Sequence, residues 1–205
     1  MLPIASTRYG DDKKGRTLTI CVKEDRNDDN SSIHKYLYSK KTGDTIHFIG
    51  PSGNYSMLLP EEEPTTEYIM VADDEGIVSF RGFLRRLFEE NTRVGYAYRG
   101  TTWLLQNNNE DDYVLYQDEM QTIKETYSEQ FRLDYDVSNE RMKDYSIEIF
   151  SKLNNGAHIF FSERKSNHKM QVDIKEMLRV YAVTQDIEFD DWFKRIKENN
   201  QWHQM

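Results

Sequence analysis

A short turn with three consecutive carboxylates lies at the point in this sequence where an anion-binding site would be expected. The turn contains Asp73, Asp74 and Glu75. It follows an apolar run at residues 68–72, which is typical of a buried parallel strand. It precedes residues 77–88, whose apolar side chains recur at helical spacing. A helix N-terminus behind such a strand attracts anions, because its free backbone N–H groups and its dipole face the same point.

The carboxylates of the turn oppose that use. A pair of like charges about 4 Å apart costs roughly 1 kcal/mol in water and about 4 kcal/mol at an intermediate dielectric. The helix dipole returns only about 0.3–1 kcal/mol to an anion. Because repulsion is the larger effect, we predict that this turn does not bind phosphate.

The pattern of secondary structure differs between the part of the chain before this turn and the part that contains it. Residues 1–60 contain short alternating segments separated by turns, among them residues 17–23 and 45–49, which is typical of all-β structure. From residue 67 to residue 205, apolar runs alternate with helical patterns, which indicates βαβ units and a parallel sheet. Residues 61–66 are polar and follow a proline, so we predict that they form a linker.

Composition and charge exclude several classes of function. The chain has 205 residues, of which 37% are hydrophobic, enough for a sizeable core. Its formal net charge of −9 argues against nucleic acid as a main partner. No apolar stretch approaches the roughly 18 residues of a transmembrane helix. Cys21 is the single cysteine and the histidines lack metal-ligand spacing, so we predict neither a disulfide nor a metal site.

Three motifs connect these patterns to a known family. They are Ile-Ala-Ser-Thr at residues 4–7, Gly-Pro-Ser-Gly at residues 50–53 and Phe-Arg-Gly-Phe-Leu-Arg-Arg at residues 80–86. With them the sequence resembles the plant-type ferredoxin–NADP reductase family from Ile4 to Trp202. The resemblance implies a partial antiparallel β-barrel, a remnant of the flavin domain, followed by an α/β parallel-sheet domain like the family's nucleotide-binding domain. The predicted boundaries are residues 1–60, 61–66 and 67–205.

The sequence departs from the family at the positions that handle the flavin and the reaction. The family's flavin-stacking tyrosine corresponds to Leu2 and the serine that follows it to Pro3. The Cys-Gly pair beside the site of hydride transfer corresponds to Ser162 and Glu163. Ser162 could imitate the cysteine sterically, whereas Glu163 would point a carboxylate into the site. The resemblance therefore predicts degenerate catalytic positions and no bound cofactor, with FAD and NADP as the alternative.

Part of the family's adenosine site persists. Ser138 matches a serine that binds the 2′-phosphate of NADP in the family, while the neighbouring arginine is Asn139 here. Lys143 and Tyr145 match a lysine used for the same phosphate and a tyrosine that stacks on adenine. The resemblance implies weak binding of an adenosine end by Ser138, Lys143 and Tyr145. The alternative is that Lys143 and Tyr145 are ordinary surface residues.

Several functions are compatible with this pattern. The losses favour a non-catalytic structural or docking subunit of a larger, photosynthetic assembly in the plastid. Because a half barrel exposes strand edges that must be covered, we expect a protein partner at that edge, with ferredoxin as another candidate partner. The alternative is a flavin-dependent ferredoxin–NADP(+) oxidoreductase with residual activity or completed by another chain. A domain that responds to adenine nucleotides is the third hypothesis.

Overall fold

The computed structural model describes residues 2–22, 32–50, 63–73, 75–107, 114–135, 139–163 and 169–204. Twelve helices and strands lie within these ranges. In chain order they are α1 (Ser32–Tyr38), β1 (Tyr68–Ala72), α2 (Ile77–Phe88), α3 (Arg93–Ala97), β2 (Thr102–Gln106), α4 (Gln117–Thr126), β3 (Phe131–Tyr135), α5 (Asn139–Asn154), β4 (His158–Ser162), α6 (Lys169–Thr184), α7 (Phe189–Glu198) and β5 (Trp202–Gln204).

The five strands form one parallel sheet in the order β3-β2-β1-β4-β5. Ala72 at the end of β1 lies opposite Gln106 on one side and Ser162 on the other. Gln106 in turn lies opposite Tyr135. The carboxyl ends of four strands are therefore level, and the chain reverses its direction across the sheet between β1 and β4. The prediction of a parallel α/β domain is confirmed.

The sheet is buried on both faces, which explains why its strands are apolar without alternation. Side chains such as Met70, Leu104 and Phe160 face a cluster that includes α2 and α4. Their neighbours Val71 and Leu105 face a second cluster built with α5, α6 and α7. Helix α2 buries most of its length, because apolar residues recur every three to four positions along it. This sandwich holds the end of β1 and the start of α2 in place.

The antiparallel barrel remnant is not seen in the described residues. The predicted strands at residues 17–23 and 45–49 are absent there, and one isolated antiparallel bridge joins Ile4 and Ile20. Phe48 is 69% exposed and Ile49 is fully exposed. A strand needs a neighbouring backbone and a covered face, and the described part of this region supplies neither to residues 45–49. The proposed linker and domain boundaries stay predictions, and residues 61 and 62 lie outside the described ranges.

Helices α4 and α6 lie in the part of the chain where helical patterns alternate with apolar runs, in agreement with the predicted βαβ units. Helix α7 ends at Glu198, and Trp202 belongs to the short strand β5. Among the described residues, no helix combines the length and the apolar character needed to cross a membrane.

Candidate functional site

The candidate site lies where β1 and β4 end side by side. The backbone N–H of Asp73 donates to the carbonyl oxygen of Ser162 at 3.2 Å. A Cβ atom on Gly76 would lie 1.9 Å from the same oxygen, closer than any real contact. Glycine is therefore required at residue 76, because the turn after β1 is pressed against the end of β4. Ser162 itself is buried. This junction is the reversal point of an open parallel sheet, where ligands bind in folds of this kind.

The start of α2 is already occupied by hydrogen bonds from within the turn. The N–H of Gly76 donates to the carboxylate of Asp73 at 2.7 Å. The N–H groups of Val78 and Ser79 donate to the carbonyls of Glu75 and Gly76, both at 3.1 Å. An incoming phosphate would have to displace the Asp73 carboxylate. The structure thus adds a second reason, besides repulsion, for the prediction that this turn does not bind phosphate.

The Glu163 carboxylate lies at the start of α6. Its carboxylate accepts the backbone N–H of Met170 at 2.9 Å and that of Gln171 at 3.0 Å. These are N–H groups of the first turn of α6, which have no acceptor inside the helix. The carboxylate therefore caps α6, and the favourable interaction with the helix dipole explains why it turns that way.

Of the residues predicted for the adenosine end, the structure locates one side chain. Ser138 lies outside the described residues, and Lys143 is in α5 with its side chain outside the description. Tyr145 is half-buried, with its ring edge-on to Trp103 at a centroid distance of 5.1 Å. The guanidinium of Arg132 lies 5.4 Å from the Tyr145 ring. Whether the three predicted residues converge on a ligand therefore stays a prediction.

Arg132 is the cation beside Tyr145, and its charge is compensated inside the protein. Its guanidinium lies 4.1 Å above the Trp103 ring. It pairs with Asp134 and Glu148, each at 2.7 Å. Burial alone would lower the pKa of Arg132, but the hydrogen bond to Glu148 and the two carboxylate charges raise it. Both of its carboxylate partners belong to this chain.

Sequence reasoning missed two buried polar side chains on the carboxyl edge. Neither the oxygen nor the nitrogen of the Gln106 amide has a hydrogen-bond partner among the described residues, and the Tyr135 hydroxyl has none either. Burial raises the pKa of Tyr135. The signal was available, because a glutamine ends an otherwise apolar strand. The two residues are register partners on β2 and β3.

A buried cluster of charges on α2 was also missed. Arg81 and Arg85 are 7% and 4% exposed. Arg81 donates from Nε to Glu119 at 2.7 Å, and from Nη1 to the Ala5 carbonyl at 2.9 Å and to Asp11 at 3.0 Å. Arg85 also pairs with Asp11. The signal was two arginines four residues apart on an apolar helix, since buried arginines are rare unless they are paired.

The pKa values of the two carboxylates in this cluster, Glu119 and Asp11, are shifted in opposite directions. Burial raises the pKa of Glu119, although the hydrogen bond and charge of Arg81 oppose the shift. Burial would also raise the pKa of Asp11, but hydrogen bonds from Thr19 and Arg81, with the charges of both arginines, lower it overall. The difference follows from exposure, because Glu119 is the more buried of the two.

Among the described residues, no group of histidine, cysteine and carboxylate side chains could hold a metal ion.

Comparison with known proteins identifies the family. No protein-family model matches the chain. The chloroplastic root isozyme of ferredoxin–NADP reductase from Oryza sativa subsp. japonica is 35% identical over 98% of this chain and 58% of its own length. Ferredoxin–NADP+ reductase from Plasmodium falciparum superposes with a TM-score of 0.74 at 17% identity, over 98% of this chain and 74% of that one. The same enzyme with 2′P-AMP gives a TM-score of 0.68 at 20% identity, over 83% and 68% of the two chains.

These relatives correct one prediction and support others. The expectation that no cofactor is involved is wrong for this family, because the relatives are named for NADP and one solved structure holds 2′P-AMP. The predicted plastid location is confirmed at the level of the family by the chloroplastic name. The chain spans about 58% of the length of the curated relative, and at 17–20% identity the solved structures show the fold alone. The chain belongs to the plant-type ferredoxin–NADP reductase family, as a divergent member.

Proposed function

We propose that this chain carries the NADP(H)-binding part of a flavin-dependent ferredoxin–NADP(+) oxidoreductase of the plastid. The observation that carries the proposal is the reversal point between β1 and β4, where Gly76 lets the turn contact the Ser162 carbonyl. A nicotinamide nucleotide lying across this edge would have its reactive ring near the end of β4. Ferredoxin is the proposed electron partner, as the names of the relatives indicate.

The adenosine end is the part of the nucleotide that the chain is best equipped to hold. Tyr145 offers an aromatic ring, Lys143 a cation for the 2′-phosphate and Ser138 a hydroxyl. The solved relative with 2′P-AMP supports a nucleotide of this kind. The pyrophosphate fits less well, because the Asp73 carboxylate holds the Gly76 N–H that a phosphate would use. We therefore assign most of the binding free energy to the adenosine end.

The flavin would need residues that the described chain does not offer. Leu2 and Pro3 provide no stacking ring at the position where the family has one. We propose that residues 1–60 form the second half of a flavin barrel and pair there with further strands. The exposed side chains of Ile46, Phe48 and Ile49 support this, since they would be buried by such strands.

The proposal is tested by binding and by activity. Calorimetry with 2′-AMP should show binding that the Tyr145→Ala variant weakens at least tenfold. Tyr96 is 68% exposed on α3, so Tyr96→Ala is the control and should leave binding unchanged. The protein isolated from its native source should show a flavin absorbance band and NADPH-dependent diaphorase activity. The absence of both nucleotide binding and flavin would overturn the proposal.

One observation favours a second candidate, a non-catalytic docking subunit. Carboxylates of the chain itself accept backbone N–H groups where α2 and α6 start from the carboxyl ends of β1 and β4. Asp73 accepts the N–H of Gly76 just before α2, and Glu163 caps α6. A protein that no longer handles pyrophosphate could keep these contacts without loss. Flavin-free native protein, bound tightly to a partner and without diaphorase activity, would favour this candidate over the enzyme.

A further inference from the structure

The N-terminal segment, residues 2–22, is fixed to α2 although it has almost no regular structure. A single β-bridge is its only strand pairing among the described residues. Ala5 is nevertheless fully buried and Ser6 is 7% exposed. A Cβ atom on Gly82 would lie 3.7 Å from the Ser6 carbonyl oxygen. The segment thus crosses α2 at a glycine, where the backbone of the helix can be approached closely.

The segment contacts α2 at further points. Cys21, near the C-terminal end of the segment, packs against the buried cluster to which α2 contributes, and burial raises the pKa of its thiol. Beyond the crossing at Gly82, the hydroxyl of Thr7 donates to Glu90 just past the end of the helix. The helix that begins at the nucleotide edge is therefore the surface on which the segment rests.

Two arginines make this contact specific. Arg81 contributes one hydrogen bond to the Ala5 carbonyl and one to Asp11, at 2.9 and 3.0 Å. Arg85 contributes a second cation to the same Asp11 oxygen. Asp11 is held from the other side by the Thr19 hydroxyl at 2.6 Å. One carboxylate of the segment therefore joins both arginines of the helix.

Removing the segment would take from both arginines the carboxylate that they share, and from Arg81 the Ala5 carbonyl. Arg81 would keep Glu119 and the ring of Tyr116, and Arg85 would keep Glu89 at 3.2 Å and Glu119 at 3.8 Å. The loss of a carboxylate from a buried cation is unfavourable even where other partners remain. The charges therefore favour the docked position of the segment over other positions on the same helix.

We propose that Arg81 and Arg85 are positioning residues that fix the N-terminal segment on α2 through Asp11. We call the contact of Asp11 with Arg81 and Arg85 the clamp. The inference rests on the proposed function in one respect, because that function makes the N-terminal segment part of the flavin-binding half. The clamp would then determine the position of the flavin relative to the carboxyl edge where the nucleotide binds. Asp11 and the two arginines touch neither ligand and act through the segment they hold.

The single cysteine is a built-in probe of docking. Cys21 is partly buried in the segment, so its alkylation rate at fixed pH in the full-length chain reports release from α2. We expect Asp11→Ala to raise the rate at least tenfold and Asp11→Glu to restore it to within about threefold of wild type. Asp12→Ala is the matched control, since Asp12 contacts only residues of its own loop in the described structure, and its rate should change less than twofold.

A second variant separates the charge from the shape of the contact. Gly82→Leu keeps both arginines but places a side chain where Ser6 lies, and it should also raise the alkylation rate at least tenfold. High salt should accelerate alkylation of wild type, because Asp11 is partly exposed, and should have less effect on Asp11→Ala. Rates for Asp11→Ala and Asp12→Ala that both match wild type would overturn the clamp.

Measurements on the same variants keep this inference apart from the proposed function. Calorimetry with 2′-AMP on wild type tests nucleotide binding without reference to the segment. If wild type shows neither 2′-AMP binding nor flavin but Asp11→Ala releases Cys21, the proposed function fails and the fixing of the segment through Asp11 stands. In protein with diaphorase activity, Asp11→Ala should lower kcat with little change in KM for NADPH. An unchanged kcat, with Cys21 released, would overturn the positioning role.

Discussion

The α/β part and the N-terminal part of this molecule both contain large apolar side chains, but the described structure buries these side chains to very different extents. In the α/β part, Phe80 is fully buried between the sheet and α2. In the N-terminal part, Phe48 is 69% exposed. Strand β1 has a backbone neighbour on each side, whereas residues 45–49 have none among the described residues. The comparison teaches that an apolar segment becomes regular structure only where the same chain supplies both a hydrogen-bonding neighbour and a covered face.

The largest expected effect tests this contrast directly. Phe80→Ala should lower the free energy of unfolding by about 3–5 kcal/mol, because it removes a fully buried ring. Phe48→Ala should change it by about 0.5 kcal/mol or less. Urea denaturation of both variants is the measurement. A large loss for Phe48→Ala would show that the N-terminal part has a core of its own.

Gly76, just before α2, and Gly82, within α2, differ in how closely other backbone approaches them. Gly76→Ala should destabilise the protein by roughly 2–3 kcal/mol, because its Cβ would meet the Ser162 carbonyl at 1.9 Å. Gly82→Ala should stabilise it by about 0.5–1 kcal/mol, since a Cβ there has ordinary contacts and alanine favours helix. Thermal unfolding distinguishes them. Equal effects would contradict the contact assigned to Gly76.

The edge strand β5 is expected to be the acid-sensitive part of the sheet. Burial, with the nearby charge of His158, lowers the pKa of His203 to about 4. Because folding favours its neutral form, its contribution to stability is complete above its unfolded pKa, about 6.5, and is lost as the pH falls towards 4.

The measurement is unfolding free energy against pH. We expect this group to account for a loss on the order of 2 kcal/mol in wild type between pH 6.5 and 4, discounted for partial exposure. His203→Phe keeps a ring on Phe160, where the two rings stack at 4.2 Å, and should lack that loss. Identical pH profiles for the two proteins would assign the acid sensitivity elsewhere.

The smallest effect concerns the cap on α6. Glu163→Ala removes the acceptor of two backbone N–H groups and should cost about 1 kcal/mol. Glu176→Ala, on the exposed side of the same helix, should cost about 0.5 kcal/mol or less. Chemical denaturation of the two variants provides the comparison. A smaller cost at Glu163 than at Glu176 would show that the cap contributes little.

Local patterns predicted the α/β part well. The apolar run that became β1 and the helical spacing that became α2 were sufficient, because each pattern repeats within a single short segment. The same reasoning failed for residues 45–49, where an alternating pattern has no neighbour to pair with. It also did not predict that Glu163 caps α6, because the N–H groups that it accepts belong to residues seven and eight positions further along the chain.

The sequence by itself determined the family, the parallel sheet and the glycine at the turn, since these depend on motifs and on periods within short segments. Only the tertiary structure decided what the charges do. Asp73 accepts the N–H of Gly76 in the turn before α2, Glu163 caps α6, and Asp11 joins two arginines that lie 70 and 74 residues away. The physical reason is that a charge takes the partners that folding brings close, and those partners come from elements distant in the chain.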